Sequence, residues 1–171
     1  MLWLACVPEL LSAVPARLAT AEPVAHTPAS GEPVGTVTVH RDGGISAPKG
    51  ITTGPDGNLW FTNQGGSSIG RSTPQGDVTS FTHPSLDGPV AITSGPDGNL
   101  WFGAIGISGT DAIGRITPAG TITMFFDPSI DDPTGIVAGP DGNLWFTNQH
   151  SWTIGRITPA GAVTTFTDAS I

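Results

Sequence analysis

The run Gly-Pro-Asp-Gly-Asn-Leu-Trp-Phe occurs three times in this chain, starting at Gly54, Gly95 and Gly139. Ile-Gly-Arg follows each copy, at Ile69–Arg71, Ile113–Arg115 and Ile154–Arg156. Thr-Pro comes next, at Thr73-Pro74, Thr117-Pro118 and Thr158-Pro159. The starts lie 41 and 44 residues apart. A period in the low forties, built of short β segments and turns, marks the blade of a β-propeller. Such a blade buries its faces only against its neighbours, so the repeat dictates the architecture.

Each copy reads as four strands. In the first, Ile51–Thr53 is the innermost, and Gly54-Pro55-Asp56-Gly57 makes a tight turn. Pro presets φ there, and Gly accepts a positive φ at the end. Asn58–Thr62, rich in aromatic and β-branched residues, is the second strand. Gln64–Ser67 is a loop, Ser68–Thr73 the third strand, and Asp77–Thr82 the outer strand. The expected fold is all-β. A partial propeller over 34–171 holds blades at 50–84, 91–128 and 135–171 and an extra outer strand at 36–40. Propellers close with about 4–8 blades, so three cannot form a ring. Either the chain is part of a longer propeller, or it closes as a homo-oligomer.

Composition agrees. Charged residues are only 12%, while 24 Gly and 16 Pro serve turns. Lys+Arg number 6 against 14 Asp+Glu, a net charge of -8. That balance excludes nucleic acid and anionic membrane as expected partners, because both need clustered cations. Five Trp and seven Phe argue against disorder. Cys6 is alone, so no disulfide framework or Cys-based metal site is expected within one chain. No apolar run approaches the ~18 residues of a membrane span.

The N-terminal segment, residues 1–33, stands apart from the repeats. Met1–Ala21 ends in Ala19-Thr20-Ala21, a small-residue pattern of signal-peptidase type. A basic n-region is missing, and Pro8, Glu9, Pro15 and Arg17 interrupt the apolar stretch. A secretory leader and leftover upstream coding sequence both stay open, with an extracellular or periplasmic location favoured over the cytoplasm. Residues 22–33 read as a Pro/Ala-rich linker.

From Thr36 to Ile171 the blade pattern resembles the virginiamycin B lyase (streptogramin lyase) family, and it shades into the wider NHL-like propellers. The resemblance implies a seven-bladed propeller. It also implies Mg²⁺-dependent elimination at the ester of a cyclic depsipeptide antibiotic, with a His as general base and Glu residues holding the metal. Functional blades of that family read Pro-His-Gly-Ile at the inner strand and Trp-Phe-Thr-Glu at the second. Here the His position holds Lys49, Val90 and Thr134, and the Glu position holds Asn63, Ala104 and Asn148. The only Glu residues, Glu9, Glu22 and Glu32, precede the repeats. Mg²⁺ prefers carboxylate oxygens, and proton abstraction needs a base of usable pKa. No cofactor is therefore expected, with Mg²⁺ entering only if the lyase reading holds.

Residues present in every blade serve the scaffold: Trp60, Trp101 and Trp145, the three Arg, and Asp56, Asp97 and Asp141. Function is sought where copies differ, on the face carrying the second-to-third loops and the crossovers. Ligand-contacting candidates there are Lys49, Asn63, Gln64, His83, Asn148, Gln149, His150 and Trp152. His150 and Trp152 replace Gly65 and Ser67, giving a titratable group near a flat apolar surface suited to a small molecule or glycan. His150 is also the sole catalytic candidate. The middle copy carries an insertion within 105–112 that includes Asp111. No Ser/His/Asp set or His-x-x-x-His pair supports hydrolase or zinc chemistry.

Overall fold

The computed structural model describes residues 44–106 and 109–168. The expected extra strand at 36–40 and the segment 1–33 lie outside the described residues. Among the described residues, twelve strands form three antiparallel four-stranded sheets. Blade 1 is β1 (Pro48–Thr53), β2 (Leu59–Asn63), β3 (Ser68–Ser72) and β4 (Val78–Thr82). Blade 2 is β5 (Pro89–Ser94), β6 (Leu100–Ala104), β7 (Ala112–Ile116) and β8 (Ile122–Phe125). Blade 3 is β9 (Pro133–Ala138), β10 (Leu144–Asn148), β11 (Thr153–Ile157) and β12 (Val163–Phe166). Strand order follows the chain in every blade. The fold is thus all-β and propeller-like, and its three sheets do not close.

The turn after each inner strand explains why its sequence repeats. Gly54 N–H donates to the Asn58 carbonyl, and Gly57 N–H donates to the Gly54 carbonyl. Gly57, Gly98 and Gly142 have φ of 76, 74 and 75°, a backbone that L side chains rarely adopt. The aspartate before each glycine then gathers donors. Asp56 Oδ1 accepts Trp60 Nε1–H at 2.9 Å, and its Oδ2 accepts Asn58 Nδ2–H at 2.8 Å. Asp97 and Asp141 repeat this with Trp101 and Asn99, and with Trp145 and Asn143. A tryptophan can be buried only if its N–H finds a partner, and the turn supplies one.

Alternation along each strand gives every blade two faces. The face toward the following blade carries Trp60, Ile69, Arg71 and Phe81 in blade 1. The Trp60 and Phe81 rings stack at 5.4 Å, and the Arg71 guanidinium lies 5.6 and 5.4 Å from their centroids. The same trio recurs as Trp101, Phe125 and Arg115, and as Trp145, Phe166 and Arg156. The face toward the preceding blade carries Ile92, Leu100, Phe102 and Ile116 in blade 2. The two faces meet in one cluster between blades 1 and 2, and a second joins blades 2 and 3 through Trp101, Ile113, Leu144, Phe146 and Ile157. Each phenylalanine of the second strand lies across a glycine of the third. A Cβ at Gly70, Gly114 or Gly155 would overlap that ring.

Neighbouring blades are also latched by polar contacts. Arg71 Nη1–H donates to the Pro118 carbonyl at 3.2 Å, and Arg115 Nη1–H to the Pro159 carbonyl at 3.1 Å. Thr62 Oγ1–H donates to the Val90 carbonyl at 2.6 Å and accepts Gly50 N–H at 2.8 Å. The sequence leaves the arginines' partners open. The structure shows each arginine 3.9 Å from its own blade's turn aspartate and, in blades 1 and 2, bonded to the next blade's turn.

These contacts make the fold acid-sensitive in a defined direction. Burial alone would raise the carboxyl pKa of Asp56 and Asp97, but the hydrogen bonds from Asn58 and Trp60, and from Asn99 and Trp101, outweigh it and lower both. Hydrogen bonds from Asn143 and Trp145 bring Asp141 down to about 2. A carboxylate with a lowered folded pKa contributes stability that is present above its unfolded pKa and lost as pH falls through the folded value. Urea-unfolding midpoints are therefore expected to fall as pH drops from 3.8 toward about 2. In Asp97→Asn that acid-induced fall is expected to be smaller.

Candidate functional site

The loops between second and third strands and the outer-to-inner crossovers share one face of the blades. Each crossover ends in a residue of positive φ before proline: Ala47 (φ 45°), Gly88 (50°) and Asp132 (55°). A buried side chain from the end of the second strand holds it there. Asn63 Nδ2–H donates to the Gly44 carbonyl at 2.7 Å, and its Oδ1 accepts Ser46 N–H at 3.2 Å. Asn148 likewise bonds the Ser129 carbonyl at 2.8 Å and Asp131 N–H at 3.1 Å. In blade 2 this position is Ala104, which has no amide to offer, and Ile105 N–H holds the crossover there by donating to the Gly88 carbonyl at 3.0 Å, while the insertion reaches the crossover into blade 3. Asp111 accepts Gly106 N–H and Asp132 N–H at 3.1 and 2.6 Å.

The expected rim residues thus divide. Asn63 and Asn148 are buried at the positions where the lyase pattern has Glu, and both amides are committed to backbone. An amide held this way, and an alanine in the middle blade, do not make a hard-cation site, so the set does not fit Mg²⁺. Lys49 is exposed on β1. Gln64 opens a short 3-10 turn, its N–H donating to the Ala47 carbonyl. His83 caps a crossover turn: its Nδ1 accepts Ser85 N–H at 3.1 Å, as Asp127 accepts Ser129 N–H at 2.9 Å.

Gln149 and His150 are exposed in the third blade's loop. Trp152 closes that loop, 79% exposed, with φ of 58°. Left-handed backbone is a genuine outlier for so bulky a residue and costs of order 1–3 kcal/mol. Asn148, Gln149 and Trp152 line a shallow notch of about 260 Å³ with Ile154, Phe166 and Asp168. His150 is not among the residues lining it.

The structure adds a cleft that the sequence did not single out as a site. About 500 Å³ is lined by Thr110, Asp111, Phe126, Asp127, Ile130 and Asp131. The sequence signal was Phe126, 51% exposed, where the other blades have Thr82 and Thr167. Among the described residues no cluster of three His, Cys, Asp or Glu is arranged to hold a metal.

Comparison with known proteins places this geometry. The model of the virginiamycin B lyase family matches residues 32–170. A streptogramin B lyase structure is 36% identical, with a TM-score of 0.66, over 72% of this chain and 41% of that one. Virginiamycin B lyase from Staphylococcus aureus is 40% identical, with a TM-score of 0.68, over 79% of this chain and 45% of that one. The same values hold for its catalytically inactive His-to-Ala variant with quinupristin. This chain therefore spans less than half the length of these solved relatives. No curated protein matches it.

The two kinds of rim residue should separate by stability. Asn148→Ala is expected to lower the unfolding free energy by about 1–3 kcal/mol, because buried backbone groups lose their partners. Gln149→Ala, at an exposed position, should change it by no more than about 0.5 kcal/mol. Urea titration followed by tryptophan fluorescence makes the comparison.

Proposed function

This chain belongs to the virginiamycin B lyase family, and from that premise we propose that its three blades bind a small molecule without catalysing its elimination. The observation that carries the reading is the fate of the family's catalytic positions. The His position holds Lys49, Val90 and Thr134, and none of them is the imidazole the family's general base requires. The Glu position holds Asn63 and Asn148, locked in crossover clamps, and Ala104.

What supports binding is Trp152. A large aromatic held out of the core in an unfavourable backbone conformation is a feature kept at ligand sites. Its ring offers a flat apolar surface beside the polar Gln149, suited to an aromatic ring or the apolar face of a sugar. The strongest ligand class is a compact amphipathic molecule such as a type B streptogramin or a glycan. If residues 1–21 act as a leader, the protein works in an extracellular or periplasmic setting.

A second reading has one observation in its favour. The chain covers only 41% and 45% of the lyases it resembles. An active lyase could draw its His and Glu from blades beyond these three, with Mg²⁺ held there.

Quinupristin with and without Mg²⁺ separates the two. Binding is expected to perturb tryptophan fluorescence saturably, with no linear product by mass spectrometry. Trp152→Gly should abolish the response without lowering the unfolding free energy, because glycine accepts that φ freely. Linear product formed with Mg²⁺ would overturn the proposal, and its loss in His150→Ala would place the base in this chain. Silence toward both quinupristin and a panel of monosaccharides would overturn it as well.

A further inference from the structure

Departures from the repeat converge on the middle blade, beyond the end of its outer strand. Phe126 stands where blades 1 and 3 have Thr82 and Thr167, and it is 51% exposed. Asp127 stands where blade 1 has His83. The insertion between β6 and β7 brings Gly106, Thr110 and Asp111 to the same place. Blades 1 and 3 flank it, so its residues have their neighbours on both sides.

Two hollows meet there. The cleft of about 500 Å³ is lined by Thr110, Asp111, Phe126, Asp127, Ile130 and Asp131. A second hollow, of about 400 Å³, lies at the crossover from blade 1 to blade 2, against Pro84, Leu86, Asp87 and Gly106. Phe126 and Thr110 line both, so the phenylalanine ring is a shared wall. Small-molecule sites span roughly 300–1,000 Å³, and they are usually largely pre-formed. The walls here are fixed by the chain's own bonds. Asp111 accepts Gly106 N–H and Asp132 N–H. Asp127 accepts the Ser129 hydroxyl at 2.6 Å and the Ser129 N–H at 2.9 Å. Leu86 and Ile130 N–H close the two crossover turns on the His83 and Asp127 carbonyls.

Charge selects the occupant. Neither hollow is lined by Lys, Arg or His, while Asp111, Asp127 and Asp131 line the cleft. The Asp131 N–H is taken up by Asn148, but its carboxylate accepts no hydrogen bond among the described residues. An exposed aromatic face attracts a cation, and more strongly once water is excluded. A metal ion is a poor match, because both Asp111 oxygens already hold backbone N–H groups and Asp127 Oδ1 holds Ser129. An organic cation with an apolar body uses the ring and the carboxylate together.

We propose that this cleft binds a small organic ammonium ion, with its apolar body against Phe126 and its charge toward Asp131. The site shares no lining residue with the notch at Trp152 and does not rest on that reading.

The test is a titration of the ¹⁵N-labelled full chain with benzyltrimethylammonium, followed by amide chemical shifts. Saturable shifts are expected at Thr110, Phe126 and Asp131, with affinity falling as sodium chloride is added. Benzyl alcohol, which is neutral, should leave these amides unmoved. Phe126→Thr, which installs the residue of the other blades, should weaken binding at least about threefold. Asp131→Asn should weaken it comparably and flatten the salt dependence. It keeps the side chain's shape, so it serves alone if circular dichroism shows Phe126→Thr unfolded. The absence of saturable shifts, or an equal response to benzyl alcohol, would overturn the proposal. So would an affinity unchanged in either folded variant, or shifts confined to the Trp152 loop.

Discussion

Everything in this fold depends on the contact of one blade's tryptophan face with the next blade's leucine and phenylalanine face. The turn aspartate makes that contact possible. It accepts the indole N–H of Trp60, Trp101 or Trp145, so a ring with a polar edge can be packed between sheets without an orphaned donor. The arginine lying over the Trp–Phe pair then carries the interaction to the neighbouring turn. Each stack is worth about 0.5–1.5 kcal/mol beyond the area it buries, and the cation adds a comparable amount. Removing the aspartate would strand an N–H, and removing the arginine would unlatch the next blade. The repeated residues are the parts of one joint.

That joint also explains where variation is tolerated. In the middle blade the second strand is packed on both faces, and in every blade the turn before it requires glycine at φ near 75°. The loops on the crossover face carry no such demand, provided each crossover is clamped. Asn63 and Asn148 clamp the crossovers into blades 1 and 3, Asp111 of the insertion adds a second hold on the latter, and at Ala104 only the Ile105 N–H to Gly88 bond of the backbone remains. The scaffold and the family's chemistry thus compete for one position at the end of the second strand. In this chain the scaffold holds it, and the exposed Trp152 is what remains facing solvent.

Much of the architecture was legible in the residues. Strands and turns follow from Pro-Asp-Gly and from the aromatic runs, because those signals are local. The Gln64 segment, read as a loop, is a 3-10 turn whose N–H groups are taken up by the preceding crossover, a contact that no local pattern announces. The rim was harder to read. Asn63 and Gln64 are adjacent polar residues and look equivalent in sequence. Alternation sends the first inward, and only packing reveals that its amide is consumed.

The sequence by itself determined the blade, its period, its turn chemistry and the loss of the family's His and Glu at matching positions. Covalent spacing and backbone sterics suffice for these. Tertiary structure decided which polar groups face solvent, which arginine has its carbonyl, and which of three equivalent leucines is left uncovered. Those properties belong to the pairing of faces. Leu59, Leu100 and Leu144 occupy the same place in the same motif, and only their neighbours distinguish them.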